Sequence, residues 1–129
     1  NRLGYYVFVV TNQSGVARGF YRMEDVDALH AFMNGELAAR GAKIDAFYVC
    51  PHHPAFGSPC LCRKPRPGLL LAAMDEYAVD KERSFLVGDK NTDLEAAANA
   101  GIKGYLFHAG DLCAKVETIL RAQNRENLD

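Results

Sequence analysis

The first apolar stretch, residues 5–10, runs Tyr5-Tyr6-Val7-Phe8-Val9-Val10 without a polar break. An unbroken run of aromatic and β-branched residues is the pattern of a strand covered on both faces. It stops at Thr11-Asn12-Gln13-Ser14-Gly15, which predicts a polar loop at the end of a buried strand. The period then changes. Val26, Leu29, Phe32, Met33 and Leu37 recur at helical spacing with Asp, Glu and Arg between them, and Gly41 closes the segment. That spacing predicts an amphipathic helix over residues 23–40, with His30 a structural residue on it. Residues 46–49 read as a second strand. Pro67 suits a first helical turn, after which Leu70, Leu71, Met74 and Tyr77 supply the apolar face of a second helix. Residues 84–87 form a third strand broken by Gly88-Asp89-Lys90. Thr92 and Glu95 stand at capping-box spacing before a short helix whose Leu94, Ala97 and Ala98 face inward and which Gly101 closes. Residues 104–107 are a fourth strand, and Leu112, Val116, Ile119 and Leu120 mark a last helix, with residues 123–129 fraying. Ahead of all this, residues 1–4 read as a helix end capped by Gly4 in the left-handed conformation, so the chain as given is expected to begin partway into a fold.

Strands alternating with helices predict parallel pairing through right-handed crossovers, hence an α/β, Rossmann-like, doubly wound sheet in a single domain over residues 1–129. In such a sheet ligands bind beyond the carboxyl ends of the strands. Four loops meet there: residues 11–15, 50–64, 88–93 and the turn at His108. They bring a hydroxyl with nearby backbone amides, a pair of cations, and the carboxylates of Asp89 and Asp93. That set suits a phosphate with a hard divalent metal, the donors and cations taking phosphoryl oxygens and a carboxylate holding Mg²⁺. Asp93 has a second reading, as a helix cap acting through the dipole.

The loop at residues 50–64 carries its own chemistry. Cys50 and His52 lie on one side of a Pro/Gly/Ser segment and Cys60 and Cys62 on the other, four donors in two close pairs, which is a zinc site's inventory. Each half-site has one intervening residue where two are commoner, and His53 is an alternative to His52. A disulfide framework is the rival reading, but three clustered cysteines plus Cys113 fit no secreted scaffold, and a chain this large does not need staples. Four protein ligands close the site, so the zinc is expected to be structural. Arg63 and Lys64 follow directly, fixed cations on a metal-tied loop.

Composition changes the picture little. The chain of 129 residues is 49% hydrophobic and 24% charged, an ordinary globular balance. Fifteen Lys and Arg stand against 16 Asp and Glu, a formal charge of -1, so no global field attracts nucleic acid or an anionic membrane. No apolar run approaches the roughly 20 residues of a membrane span, and the amino terminus lacks the order of a signal peptide. Reduced cysteines and no export signal lead to the expectation of a cytoplasmic protein, with neither nucleic acid nor membrane as partner, and a monomer.

With those residues in view, the chain resembles the haloacid dehalogenase superfamily of phosphatases over nearly its whole length. Val9-Val10-Thr11-Asn12 resembles its second motif, Arg63-Lys64-Pro65 its lysine motif, and Val87-Gly88-Asp89-Lys90 with Asp93 its acidic motif. More narrowly, the stretch Thr-Asn-Gln-Ser-Gly-Val-Ala-Arg-Gly at residues 11–19 and the Cys50, His52, Cys60, Cys62 set resemble the heptose-bisphosphate phosphatase branch. The histidinol-phosphate phosphatase branch shares the cysteine loop and lysine motif but is not expected to continue as Val16-Ala17-Arg18-Gly19, and is the alternative. The resemblance implies that Thr11 and the Asn12 backbone bind the transferring phosphoryl group, Lys64 holds and neutralises it, and Asp89 ligates Mg²⁺. It implies that Arg63 meets the substrate's non-reacting phosphate or sugar, that Cys50, His52, Cys60 and Cys62 bind zinc, and that Lys90 and Asp93 support Asp89 or Lys64. The activity implied is Mg²⁺-dependent removal of the 7-phosphate of a small phosphorylated sugar, a heptose bisphosphate, on the route to a nucleotide-activated heptose, through an aspartyl phosphate. One departure stands out. The superfamily's nucleophile sits in an Asp-x-Asp-Gly motif, and no such motif exists in residues 1–129. The first strand carrying it is expected upstream, and a zinc-stabilised phosphate-binding module without catalysis is the non-enzyme rival. The loop between Pro54 and Pro59 is also short for the bisphosphatase branch.

Overall fold

The computed structural model describes residues 1–53, 55 and 60–126. Strands and helices alternate along them: β1 (Phe8–Asn12), α1 (Met23–Ala38), β2 (Ala46–Cys50), α2 (Gly68–Glu76), β3 (Phe85–Gly88), α3 (Asn91–Ala100), β4 (Lys103–Leu106) and α4 (Leu112–Glu126). All pairing is parallel. β1 lies on β2 from Phe8 opposite Ala46 to Asn12 opposite Cys50, and β3 on β4 from Phe85 opposite Lys103 to Gly88 opposite Leu106. The α/β architecture predicted from the alternation is present. It is, however, divided into two two-stranded sheets, and among the described residues no strand pairs with the second edge of β1 or β3. Side chains join the halves instead. Tyr5 sets its ring against Phe85 at 6.2 Å, and Gln123 on α4 accepts from Tyr5 Oη at 2.8 Å while donating to the Arg83 carbonyl.

The layering follows from strand alternation. Ala46, Tyr48 and Cys50 point one way and form the core with Leu69 and Ala73 of α2, joined by Phe8 and Val10. Phe47 points the other way and stacks on His30 of α1 with ring centres 3.9 Å apart. His30 is thus the structural residue that the helical pattern suggested. Asn34 fastens the same helix to the chain before β2, its amide donating to the Ile44 carbonyl and accepting from the Ile44 N–H.

Several boundaries differ from the sequence pattern for local reasons. β1 begins three residues late because the Asp45 carboxylate takes the Val7 N–H at 2.8 Å and leaves Tyr6 half exposed. It also runs through Thr11 and Asn12, which pair with Val49 and Cys50 where a loop was expected. The buried stripe of α1 is Val26 with His30, whereas Leu29 and Phe32 face out. In α2 the buried positions are Leu69 and Ala73 rather than Leu71, and Tyr77 lies beyond the last turn. The cap of α3 is Lys90 with Asp93, not Thr92 with Glu95: Asp93 Oδ2 accepts the Lys90 N–H at 3.2 Å. The helix therefore buries Ala96, Ala97 and Ala100, turns Ala98 outward, and ends as expected at Gly101 with φ of 82°. Gln123 is buried on α4 instead of fraying; residues 127–129 lie outside the described chain.

Candidate active site and metal centre

The carboxyl ends of β1 and β3 present the residues in question. At the end of β1, the Asn12 side-chain oxygen accepts the Lys64 N–H at 3.3 Å, so the strand end and the lysine are tied together across 52 positions. Lys64 Nζ donates to the Val10 carbonyl at 3.5 Å and forms an ion pair with Asp93 Oδ1 at 2.5 Å. Both partners are largely buried. Burial alone would raise the Asp93 carboxyl, but the Lys64 ammonium and the N–H groups of Lys90 and Asp89 outweigh it and hold the group below the ordinary carboxylate range. The Asp93 carboxylate is thus engaged by the Lys64 ammonium on one oxygen and by backbone N–H on the other. Asp89, by contrast, is exposed beside it, as is Lys90. Gly88 makes this corner possible: a Cβ there would come within 2.5 Å of the Asp93 side chain. Thr11, Asn12, Lys64 and Asp93 therefore gather at the ends of β1 and β3, with Asp89 opening to solvent beside them. His108 stays exposed after β4 and joins no group here.

The loop after β2 brings the second cluster together. The ligand atoms of Cys50, His52, Cys60 and Cys62 all lie within 4.8 Å of one another. Cys62 Sγ is 2.7 Å and Cys60 Sγ 3.7 Å from Cys50 Sγ, and His52 Nδ1 is 3.3 Å from Cys62 Sγ. His53 is engaged differently, its Nδ1 accepting the Ala55 N–H at 3.1 Å. The four cysteines are free thiols, which removes the disulfide alternative for the described structure. Burial and the neighbouring thiols push Cys62 up to about 12. Burial also opposes ionisation of Cys60, but the Arg63 N–H and the adjacent thiols bring it down to about 6. Crowded sulfurs that resist ionising together are matched by a divalent cation, and three thiolates with one imidazole, held at this spacing, fit a tetrahedral soft-ligand ion. The described site can hold a metal; the donor set favours zinc.

The two clusters share a frame. Arg63 Nη1 donates to the His52 carbonyl at 3.3 Å, Arg66 donates to the Cys60 carbonyl, and the Lys64–Pro65 peptide is cis. Gly68, the first residue of α2, lies so close to the Leu61 carbonyl that a Cβ would stand 2.3 Å from it. The loop after β1 is fastened to the same segment through Gln13 N–H on the Cys50 carbonyl at 2.7 Å and Ala17 N–H on the Pro51 carbonyl at 3.2 Å. A metal held by Cys50, His52, Cys60 and Cys62 would therefore tie together the segments that carry the Thr11 loop and Lys64. Sequence reasoning missed Gln13 and Tyr21, which contact Thr11 as a chain of side-chain hydrogen bonds. Only the tertiary return of the chain over Gly15 reveals them.

These features define a haloacid-dehalogenase-type hydrolase domain, and comparison with known proteins agrees: the HAD-hydrolase-like family profile matches residues 61–125. The chain belongs to this family and, within it, to the heptose-bisphosphate phosphatases. It is 45% identical over 130 residues to the D-glycero-beta-D-manno-heptose-1,7-bisphosphate 7-phosphatase of Rhodopseudomonas palustris, covering 97% of this chain and 72% of that protein. It is 44% identical over 109 residues to the enzyme of the same name from Escherichia coli, of which it spans 57%. Among solved structures it superposes on the D,D-heptose 1,7-bisphosphate phosphatase of B. bronchiseptica, complexed with magnesium and phosphate, with a TM-score of 0.77 and 38% identity over 91% of this chain and 64% of that one. A HAD-like phosphatase from Mesorhizobium loti gives a TM-score of 0.83 at 32% identity, over 95% and 68% of the two chains.

Proposed function

We propose that the protein removes the 7-phosphate of D-glycero-D-manno-heptose 1,7-bisphosphate in a Mg²⁺-dependent reaction, supplying a step towards a nucleotide-activated heptose. The observation that carries this reading is the meeting of Thr11, Asn12 and Lys64 at one strand end beside the exposed Asp89, in a chain whose curated relatives bear that enzyme's name. Thr11 and the Asn12 backbone bind the phosphoryl oxygens. Lys64, held in place by Asp93 and the Val10 carbonyl, neutralises them, and Arg63 meets the remote phosphate or the sugar. Asp89 is the carboxylate of this chain left open for Mg²⁺, since Asp93 is committed to Lys64; one protein carboxylate with substrate oxygens and waters is an ordinary magnesium shell. When bound, Mg²⁺ supplies charge stabilisation to the phosphoryl group as it moves. Cys50, His52, Cys60 and Cys62 hold zinc, whose part is to keep the Lys64 loop in place. An aspartyl-phosphate mechanism needs an attacking carboxylate at the phosphoryl site, and Asp25 and Asp27, exposed at the start of α1, are not among the residues gathered there.

No described helix is long and apolar enough to cross a membrane, and the substrate of this reading is a small phosphorylated sugar. The test is phosphate release from the heptose bisphosphate by the native protein as Mg²⁺ is titrated. Turnover that rises with Mg²⁺ and falls on the order of 10²-fold in Lys64→Ala is expected. Equal turnover in the two proteins, or a preference for histidinol phosphate, would overturn the reading.

A further inference from the structure

The Thr11 hydroxyl is held by a side chain that no part of the mechanism above uses. Gln13 Nε2 donates to Thr11 Oγ1 at 3.1 Å, and Gln13 Oε1 in turn accepts from Tyr21 Oη at 2.6 Å. A hydroxyl carries one proton and two lone pairs, and an amide has one donating and one accepting end. The order of the chain therefore has a consequence. With its carbonyl end satisfied by the phenol, Gln13 turns its NH₂ towards Thr11, which must then accept, and the Thr11 proton points away from Gln13. We infer that Gln13 and Tyr21 are positioning residues that fix Thr11 as a hydrogen-bond donor to a phosphoryl oxygen; this rests on the proposed role of Thr11. A reversed amide would have the opposite effect, drawing the Thr11 proton into Gln13 and leaving only lone pairs to face an anion.

The surrounding backbone is shaped for this chain of bonds. Gln13 is pinned at its N–H by the Cys50 carbonyl, and the loop closes on itself through Val16 N–H to the Gln13 carbonyl and Phe20 N–H to the Gly15 carbonyl. That closure returns Tyr21 over Gly15. The passage is so narrow that a Cβ on Gly15 would stand 2.2 Å from the Tyr21 ring and 2.8 Å from its hydroxyl. Gly15 is buried and its φ is not in the left-handed region, so the requirement there is space for the phenol. Tyr21 and Gln13, eight positions apart in the sequence, thus form with Thr11 one directed line ending at the threonine hydroxyl.

The experiment is a double-mutant cycle in the native protein, reading kcat, KM for the heptose bisphosphate and the inhibition constant of inorganic phosphate. Gln13→Met and Tyr21→Phe keep the shape of each side chain, and thermal unfolding checks that both remain folded. Each is expected to weaken phosphate inhibition and lower kcat/KM by about three- to tenfold, the effect of one hydrogen bond. In a Thr11→Val background the same substitutions should add less than about twofold, because the group they act through is gone. Gln13→Glu, whose carboxylate only accepts, should be at least as impaired as Gln13→Met. Losses of equal size with and without Thr11 would overturn the inference while leaving the reading of Thr11 intact. No loss from Thr11→Val itself would overturn that reading and the inference together.

Discussion

Lys64 and Asp93 show how little a single side chain decides alone. The lysine is useful to an anion only if it is fixed, and the buried carboxylate at 2.5 Å holds it in place. Because the folded Asp93 carboxyl lies below its unfolded value, it contributes stability that is fully present above about pH 4 and is lost as pH falls through the lower, folded value. Asp93→Asn should therefore flatten the acid limb of the unfolding profile, measured by chemical denaturation between pH 6 and the acid transition, and an unchanged limb would count against the pairing. Gly88 is the second residue-scale test. Gly88→Ala would force the Asp93 side chain aside and should destabilise by about 1–3 kcal/mol, seen as a lower denaturation midpoint. At this scale the convergence of Thr11, Lys64 and Asp89 was legible because each stands in a recognisable string. Gln13 and Tyr21 were not, since a hydrogen bond over a tight glycine leaves no period or charge in the sequence.

Elements were legible where burial is continuous and less so where one polar side chain intervenes. The four strands and four helices were read in the right order because apolar runs and helical spacing are set by the packing itself. The start of α3 was misplaced by the lure of Thr92 and Glu95. Asp93 wins the capping position because it must also reach Lys64, a partner supplied by a loop nearly thirty residues earlier. The outward turn of Leu29 and Phe32 on α1 has a similar origin. His30 takes the inner position by stacking on Phe47, which rotates the helix away from its most apolar stripe. The loop following β2 is the element whose removal should matter most. Cys60→Ser should release the bound metal and lower thermal stability, because structural metal binding is coupled to folding. Metal content by elemental analysis checks this, and full occupancy in the variant would refute the four-ligand assignment.

The whole molecule joins two parallel pairs of strands through side chains, with β1 and β3 each keeping an edge free among the described residues. The alternation of elements announced parallel pairing, but whether two pairs form one ladder depends on what lies between them, and hydrophobic periodicity does not encode that. What the arrangement does deliver is convergence. The strand ends bring a hydroxyl, a buried lysine and an open carboxylate to one side, next to a Cys/His cluster whose loop carries the lysine. The chain spans 72% of its relative from Rhodopseudomonas palustris and 57% of the Escherichia coli enzyme, so the activity proposed is that of the native protein. The central claim is that this site takes the phosphate at the far end of the sugar, and phosphorus NMR of the native protein with the heptose 1,7-bisphosphate and Mg²⁺ tests it most directly. Mg²⁺-dependent loss of the 7-phosphate resonance, growth of free phosphate and a surviving 1-phosphate resonance are expected; loss of the 1-phosphate, or no change on adding Mg²⁺, would contradict the proposed function.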